Sequence, residues 1–102
     1  MRSYVLKLYI NGQTTRSRQA IANLRAICER ALGKGSYEFT IIDVLERPHL
    51  AEKDKILATP VLIREAPLPQ RRIIGDLSDQ ARVLAGLDLY EGEHQEIEGA
   101  QS

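Results

Sequence analysis

The stretch SYVLKLYI at residues 3–10, read together with EFTIIDV at residues 38–44, decides the fold. In the first, Tyr4, Leu6, Leu8 and Ile10 fall on one face of an extended chain and Val5, Lys7 and Tyr9 on the other. That period of two is what a strand with at least one buried side requires. Asn11-Gly12 breaks the pattern, since both residues tolerate turn conformations that β-branched residues resist. Thr14, Thr15 or Ser17 can then cap a helix running to about Leu32, because Ile21, Leu24, Ile27/Cys28 and Ala31/Leu32 recur at intervals of three and four. Gly33-Lys34-Gly35 ends that helix. The second stretch, Glu38 to Val44, is almost continuously apolar at Ile41-Ile42 and reads as a strand central in its sheet. Strand, long helix, strand is a right-handed crossover, so the first two strands are predicted parallel.

Downstream the pattern shortens. Pro48 suits the first turn of a short helix over HLAEKDKIL, where a missing N–H has no intrahelical partner to lose. A β-rich run from Val61 to Arg64 follows, then APLPQ as a rigid turn, then Arg71-Arg72-Ile73-Ile74 as a return strand before Gly75. These make an antiparallel hairpin. Ser78 and Asp79 offer an N-cap for a last helix with Val83, Leu84 and Leu87 on one stripe. The predicted class is α/β in the order βαβαββα, with one domain over residues 1–90. Residues 91–102 read as an acidic tail expected to fray.

A chain of 102 residues supports one core and not two. With 43% apolar and 27% charged residues it reads as an ordinary globular protein rather than a disordered or fibrous one. No apolar run approaches the roughly 18 residues that cross a bilayer. The opening runs straight into a strand-like pattern instead of a signal peptide, so a cytoplasmic location without membrane contact is expected. Fourteen basic and fourteen acidic side chains cancel, but residues 1–37 carry seven positive charges against one negative, and residues 91–102 carry four glutamates and no lysine or arginine. Such asymmetry can orient a charged partner, and it is equally the pattern of solvated faces with a solubilising tail. Zero net charge with four tyrosines and one phenylalanine argues against nucleic-acid binding.

Chemistry-bearing arrangements are thin. Dithiol exchange needs a thiolate at the start of the first helix, and residues 11–14 are Asn-Gly-Gln-Thr. Cys28 lies deep in that helix beside Ile27 and reads as a buried, inert thiol; as the sole cysteine it leaves no intramolecular disulfide and no multi-cysteine zinc site. His49 and His94 have no second ligand at metal spacing, and Gly33-Lys34-Gly35 lacks the spacing of a phosphate loop. Asp76, Asp79 and Asp88 pair with no nucleophile, and Asp79 is better explained as a helix-start charge. No catalytic, cofactor or metal site is therefore expected, and the chain reads as a non-enzyme. Lys55, Arg64, Arg71 and Arg72 form a basic set suited to an acidic protein surface.

Four blocks resemble the KaiB family: YVLKLY (4–9) before a glycine turn, KILATPVLI (55–63), RRIIGDLSD (71–79) and GLDL (86–89). They stand in KaiB order and spacing, and the similarity runs from Tyr4 to Tyr90. The resemblance implies a thioredoxin-like fold that has lost its dithiol chemistry, with Pro60 as the cis-proline of that fold. It implies binding to the hexameric ATPase ring of a KaiC-type protein, which shifts that ring from phosphorylation to dephosphorylation, with KaiA and a SasA-like kinase as further partners. Thr15, Arg18 and Gln19 depart from residues common in cyanobacterial relatives, which favours the KaiC role over the KaiA one. Extrapolated onto this chain, the KaiC contact falls on Leu45, Pro48 and Ala58, with Lys55 and Arg72 orienting it.

Proteins of this family also populate two folds. One is a thioredoxin-like monomer that binds KaiC; the other is a tetrameric ground state, βαββααβ, with a rebuilt C-terminal half. The segment Val83, Ala85, Gly86, Leu87, Asp88 and Leu89 gives that a physical basis here: a helix aligns Val83, Leu84 and Leu87, whereas a period of two aligns Val83, Ala85, Leu87 and Leu89. A sequence that fits both periods commits to neither. Ala85, where relatives commonly carry bulkier residues, favours helix, so the thioredoxin-like form is expected to be the major one. The competing reading is a thioredoxin-fold redox or glutathione-dependent enzyme.

Overall fold

A computed structural model of the chain describes residues 3–32 and 37–89. The strands are β1 (Tyr4–Ile10), β2 (Tyr37–Asp43), β3 (Val61–Ala66) and β4 (Arg71–Ile74). The helices are α1 (Thr15–Ile27), continued by a π-helical turn over Cys28–Leu32, α2 (Pro48–Lys53) and α3 (Gln80–Gly86). The order is βαβαββα, and the sheet order is β2-β1-β3-β4. β1 pairs parallel with β2 and antiparallel with β3, and β3 pairs antiparallel with β4.

The alternation along β1 sorts two clusters to the two faces of the sheet. Tyr4, Leu6, Leu8 and Ile10 meet Leu24 and Ile27 of α1 and Val83 of α3, all buried. Tyr9 lies on the other face with Ile42, Val61 and Ile63, beneath Leu50 and Ala51 of α2. β1 is thus buried on both faces because α1 and α3 cover one side and α2 the other.

β2 departs from the sequence reading. It is an edge strand, with Ile42 buried and Ile41 only half so, and the central pair is β1 and β3. The apolar Ile41-Ile42 pair reflects cover on each face, not neighbours on each side. α2 also stops at Lys53, four residues short of the predicted Leu57.

Local capping explains the helix boundaries. Thr14 accepts from the Ser17 amide through its side chain, and its hydroxyl donates to Ser17 Oγ at 2.8 Å. Ser17 Oγ in turn accepts from the Asn11 amide, so this buried serine joins β1 to α1. Asp79 caps α3 by accepting from the Arg82 amide, the helix-start role read from the sequence. The far ends of α2 and α3 share one device. Lys55 (φ 52°) and Asp88 (φ 55°) sit in the left-handed region that glycine favours. Behind them Ile56 N donates to Ala51 O and Leu89 N to Leu84 O, closing Schellman turns. The Thr59–Pro60, Ala66–Pro67 and Leu68–Pro69 peptides are cis.

Candidate partner-binding site

The Schellman turn after α2 presents Leu57, the most exposed large apolar side chain among the described residues. Because Lys55 turns left-handed, Ile56 folds back against Ala51 while Leu57 is thrown outward, 96% exposed. Leu45 is 69% exposed where the chain leaves β2, and Ile74 of β4 is 53% exposed. An open groove of about 820 Å³ runs along α2, lined by Pro48, His49, Ala51, Glu52, Lys55, Ile56 and Leu57. Its rim carries one cation, Lys55, one carboxylate, Glu52, and the Leu57 side chain.

The structure sorts the sequence-derived contact residues. Pro48 and Lys55 share this groove. Leu45 and Ala58 are exposed but lie outside its lining, and Leu45 packs instead toward Gly12. Arg72 is exposed, yet its guanidinium is engaged: Nη2 donates to Asp54 O at 3.0 Å and Nη1 to Lys55 O at 3.5 Å. Arg72 therefore braces the turn that presents Lys55 and Leu57. Arg64 does not belong to the basic contact set at all, being 2% exposed and turned into the core.

Leu57, Glu52 and Ile56 were missed because HLAEKDKIL reads as a continuous helix.

Beneath the groove, a polar network fixes α2 to the sheet. The Tyr9 hydroxyl donates to Asp54 Oδ2 at 2.5 Å, and Lys7 Nζ donates to the same oxygen at 3.1 Å. Lys7 also pairs with Glu65. The hydrogen bond from Tyr9, aided by Lys7, holds the Asp54 carboxyl below the usual range. Burial, then the bond to Asp54, pushes the Tyr9 phenol up to about 12. For Lys7, burial acts downward, but the bonds to Glu65 and Asp54 outweigh it and the amine is raised.

The signs set two pH windows. A depressed carboxyl stabilises the fold above its unfolded value, and that support is lost as acid takes the pH down through the folded value. The raised phenol supports the fold below its unfolded value and releases it as pH climbs toward 12, and the raised amine does the same as pH rises through its own folded value. Tyr9→Phe is expected to move the Asp54 titration midpoint up toward 3.8, seen by carboxyl NMR, and to flatten the acid limb of stability. A second expectation concerns the left-handed cap. Lys55→Gly should raise the urea-unfolding free energy by about 0.5–1 kcal/mol, because glycine adopts that conformation without its Cβ penalty.

The start of α1 carries hydroxyls, Thr14 and Ser17, where dithiol chemistry would need cysteines. Cys28 is fully buried, and burial, then the neighbouring Glu29 charge, pushes its thiol up to about 12, so it stays protonated near neutrality. No group of three or more metal-ligating side chains converges among the described residues, and no helix among them is long and apolar enough to cross a membrane.

A mixed four-stranded sheet of order β2-β1-β3-β4 with helices on both faces is a thioredoxin-like fold, here without a dithiol at the start of α1. Thioredoxin from Fasciola hepatica superposes with a TM-score of 0.69 at 13% identity, over 87% of this chain and 82% of that one. The N-terminal domain of SasA from Synechococcus elongatus superposes equally, at 0.69 and 22% identity, over 91% of this chain and 90% of that one. The KaiB domain family model matches residues 7–89, and the chain belongs to the KaiB family. It is 54% identical over 95 residues to the circadian clock oscillator protein KaiB of Synechococcus elongatus, covering 93% of this chain and 92% of that protein. To the protein of the same name from Prochlorococcus marinus strain MIT 9312 it is 54% identical over 97 residues, 95% of this chain and 91% of that protein.

Proposed function

We propose that this chain is a clock or stress-timing regulator that docks on a KaiC-type hexameric ATPase ring through the α2 groove and modulates its phosphorylation state. The observation that carries the reading is Leu57, almost wholly exposed beside Lys55 on a groove wall, in a chain more than half identical to named clock proteins. An apolar anchor ringed by polar residues is what a protein partner buries, and a nearby lysine steers it toward an acidic surface. KaiA and a SasA-like kinase complete the partner set. Two chains of one fold can contest one surface, and the SasA N-terminal domain shares this fold.

The reading extends to fold exchange. In the thioredoxin-like form the chain acts as a monomer; residues 83–89 rebuild as strand in a tetrameric ground state. Co-elution of the purified chain with the KaiC ring of its host tests the docking. Lys55→Glu should abolish co-elution at micromolar protein, and undiminished co-elution would remove the groove from the interface.

A further inference from the structure

Arg64 heads the fully buried large side chains among the described residues, and it sits on β3 facing α3. Its Nη1 donates to Leu87 O at 2.9 Å and to Asp88 O at 3.3 Å, while Nη2 donates to Pro69 O at 2.7 Å. The Asp88 carboxylate lies 3.9 Å away and is half exposed. Nε is buried and has no hydrogen-bond partner among the described residues. A guanidinium taken out of water is costly unless its donors are met, and here Nη1 and Nη2, though not Nε, are met by carbonyls of two separate segments, the end of α3 and the β3–β4 turn.

The end of α3 needs such a partner. This helix has seven residues, too few to stand alone in water, and no basic side chain in its last turn. Its Schellman turn meets the Val83, Leu84 and Ala85 carbonyls, so the Leu87 and Asp88 carbonyls just beyond it and the negative end of the dipole are what is left to a cation from elsewhere in the fold. Arg64 supplies that cation through space. Directly across the hairpin the register partner of Arg64 is Arg71, an exposed like charge, so β4 offers the guanidinium no counter-charge and the compensation comes from the Pro69 carbonyl and the α3 end.

We propose that Arg64 is the latch of the C-terminal segment: it holds residues 80–89 closed on the sheet, and opening of that segment is a discrete step in which its bonds to Leu87 and Asp88 break. The latch goes beyond the fold-exchange reading, which concerns only what an opened segment does next.

Native-state amide exchange of the full chain, followed by NMR at several urea concentrations, tests it. In Arg64→Met the amides of Val83, Leu87 and Leu89, all hydrogen-bonded in this structure, should exchange roughly 10- to 100-fold faster than in the parent chain, the scale of losing charge-assisted bonds. They should also remain faster than the β1 amides at low urea, as a separate opening unit. Arg64→Lys, which keeps the charge but not the fork, should fall between. Unchanged exchange at α3 in both variants overturns the latch, and so does a merger of α3 and β1 amides onto one urea profile in the parent chain. Solution mass and backbone shifts of residues 83–89 report separately on refolding. A fast-opening α3 in a chain that stays monomeric and helical sinks the fold exchange and leaves the latch standing.

Discussion

Leu57→Asp is expected to weaken association with a KaiC-type ring by about 10- to 150-fold while leaving the urea midpoint nearly unchanged. The side chain is 96% exposed and makes no core contact, so its replacement changes stability by no more than about 0.5 kcal/mol. Buried in an interface, the same leucine is worth about 1.5–3 kcal/mol, and each 1.4 kcal/mol is a factor of ten in Kd. Leu68→Asp serves as the control, since Leu68 is also highly exposed, at 80%, but lies on the β3–β4 turn outside the groove. Isothermal titration or interferometry on the ring separates the two. Equal losses for both leucines would place the contact elsewhere.

The second large effect is on the fold itself. Leu8 has no exposed surface, sits at the middle of β1, and stands opposite Ile41 on one side and Leu62 on the other. Leu8→Ala removes its packing against the α1 layer and leaves a cavity, at a cost of about 2–5 kcal/mol. For a domain of this size each kcal/mol shifts the thermal midpoint by about 4–8 °C, so a fall on the order of 10–30 °C is expected by calorimetry. A fall of only a few degrees would mean that the surrounding layers collapse onto the gap.

The elements legible in the sequence were those whose signal is local. Alternation in SYVLKLYI, the three-and-four spacing from Ile21 onward, and Asp79 before the last helix report directly on backbone period and capping, and the structure follows them, except that a π-helical turn replaces the α period over Cys28–Leu32. What escaped depends on tertiary position. Ile41-Ile42 could not say whether β2 is covered by helices or flanked by strands, because burial on two faces looks the same in either case. Arg64 resembled its neighbours Arg71 and Arg72 as a surface cation, since nothing in ATPVLIR records that two carbonyls from residues 87 and 88 lie in reach. The left-handed Lys55 was equally hidden, because lysine is an ordinary helix former and only the recruitment of Asp54 by Tyr9 and Lys7 shows why the chain turns there. Within the candidate site, Pro48 and Lys55 were found and Leu57 was not, for that same reason.

α3 is the roof over one end of the sheet: Val83, Leu87 and Leu89 close over the cluster that holds Leu62 and Ile73. Any arrangement that lifts this roof uncovers an oily shelf, which water penalises in proportion to its area. Only another polypeptide, another copy of the chain included, can shelter it. Under the proposed fold exchange, mass action would tie the shape of a single molecule to how many copies surround it: dilution would select the roofed form, and crowding of like chains its alternative.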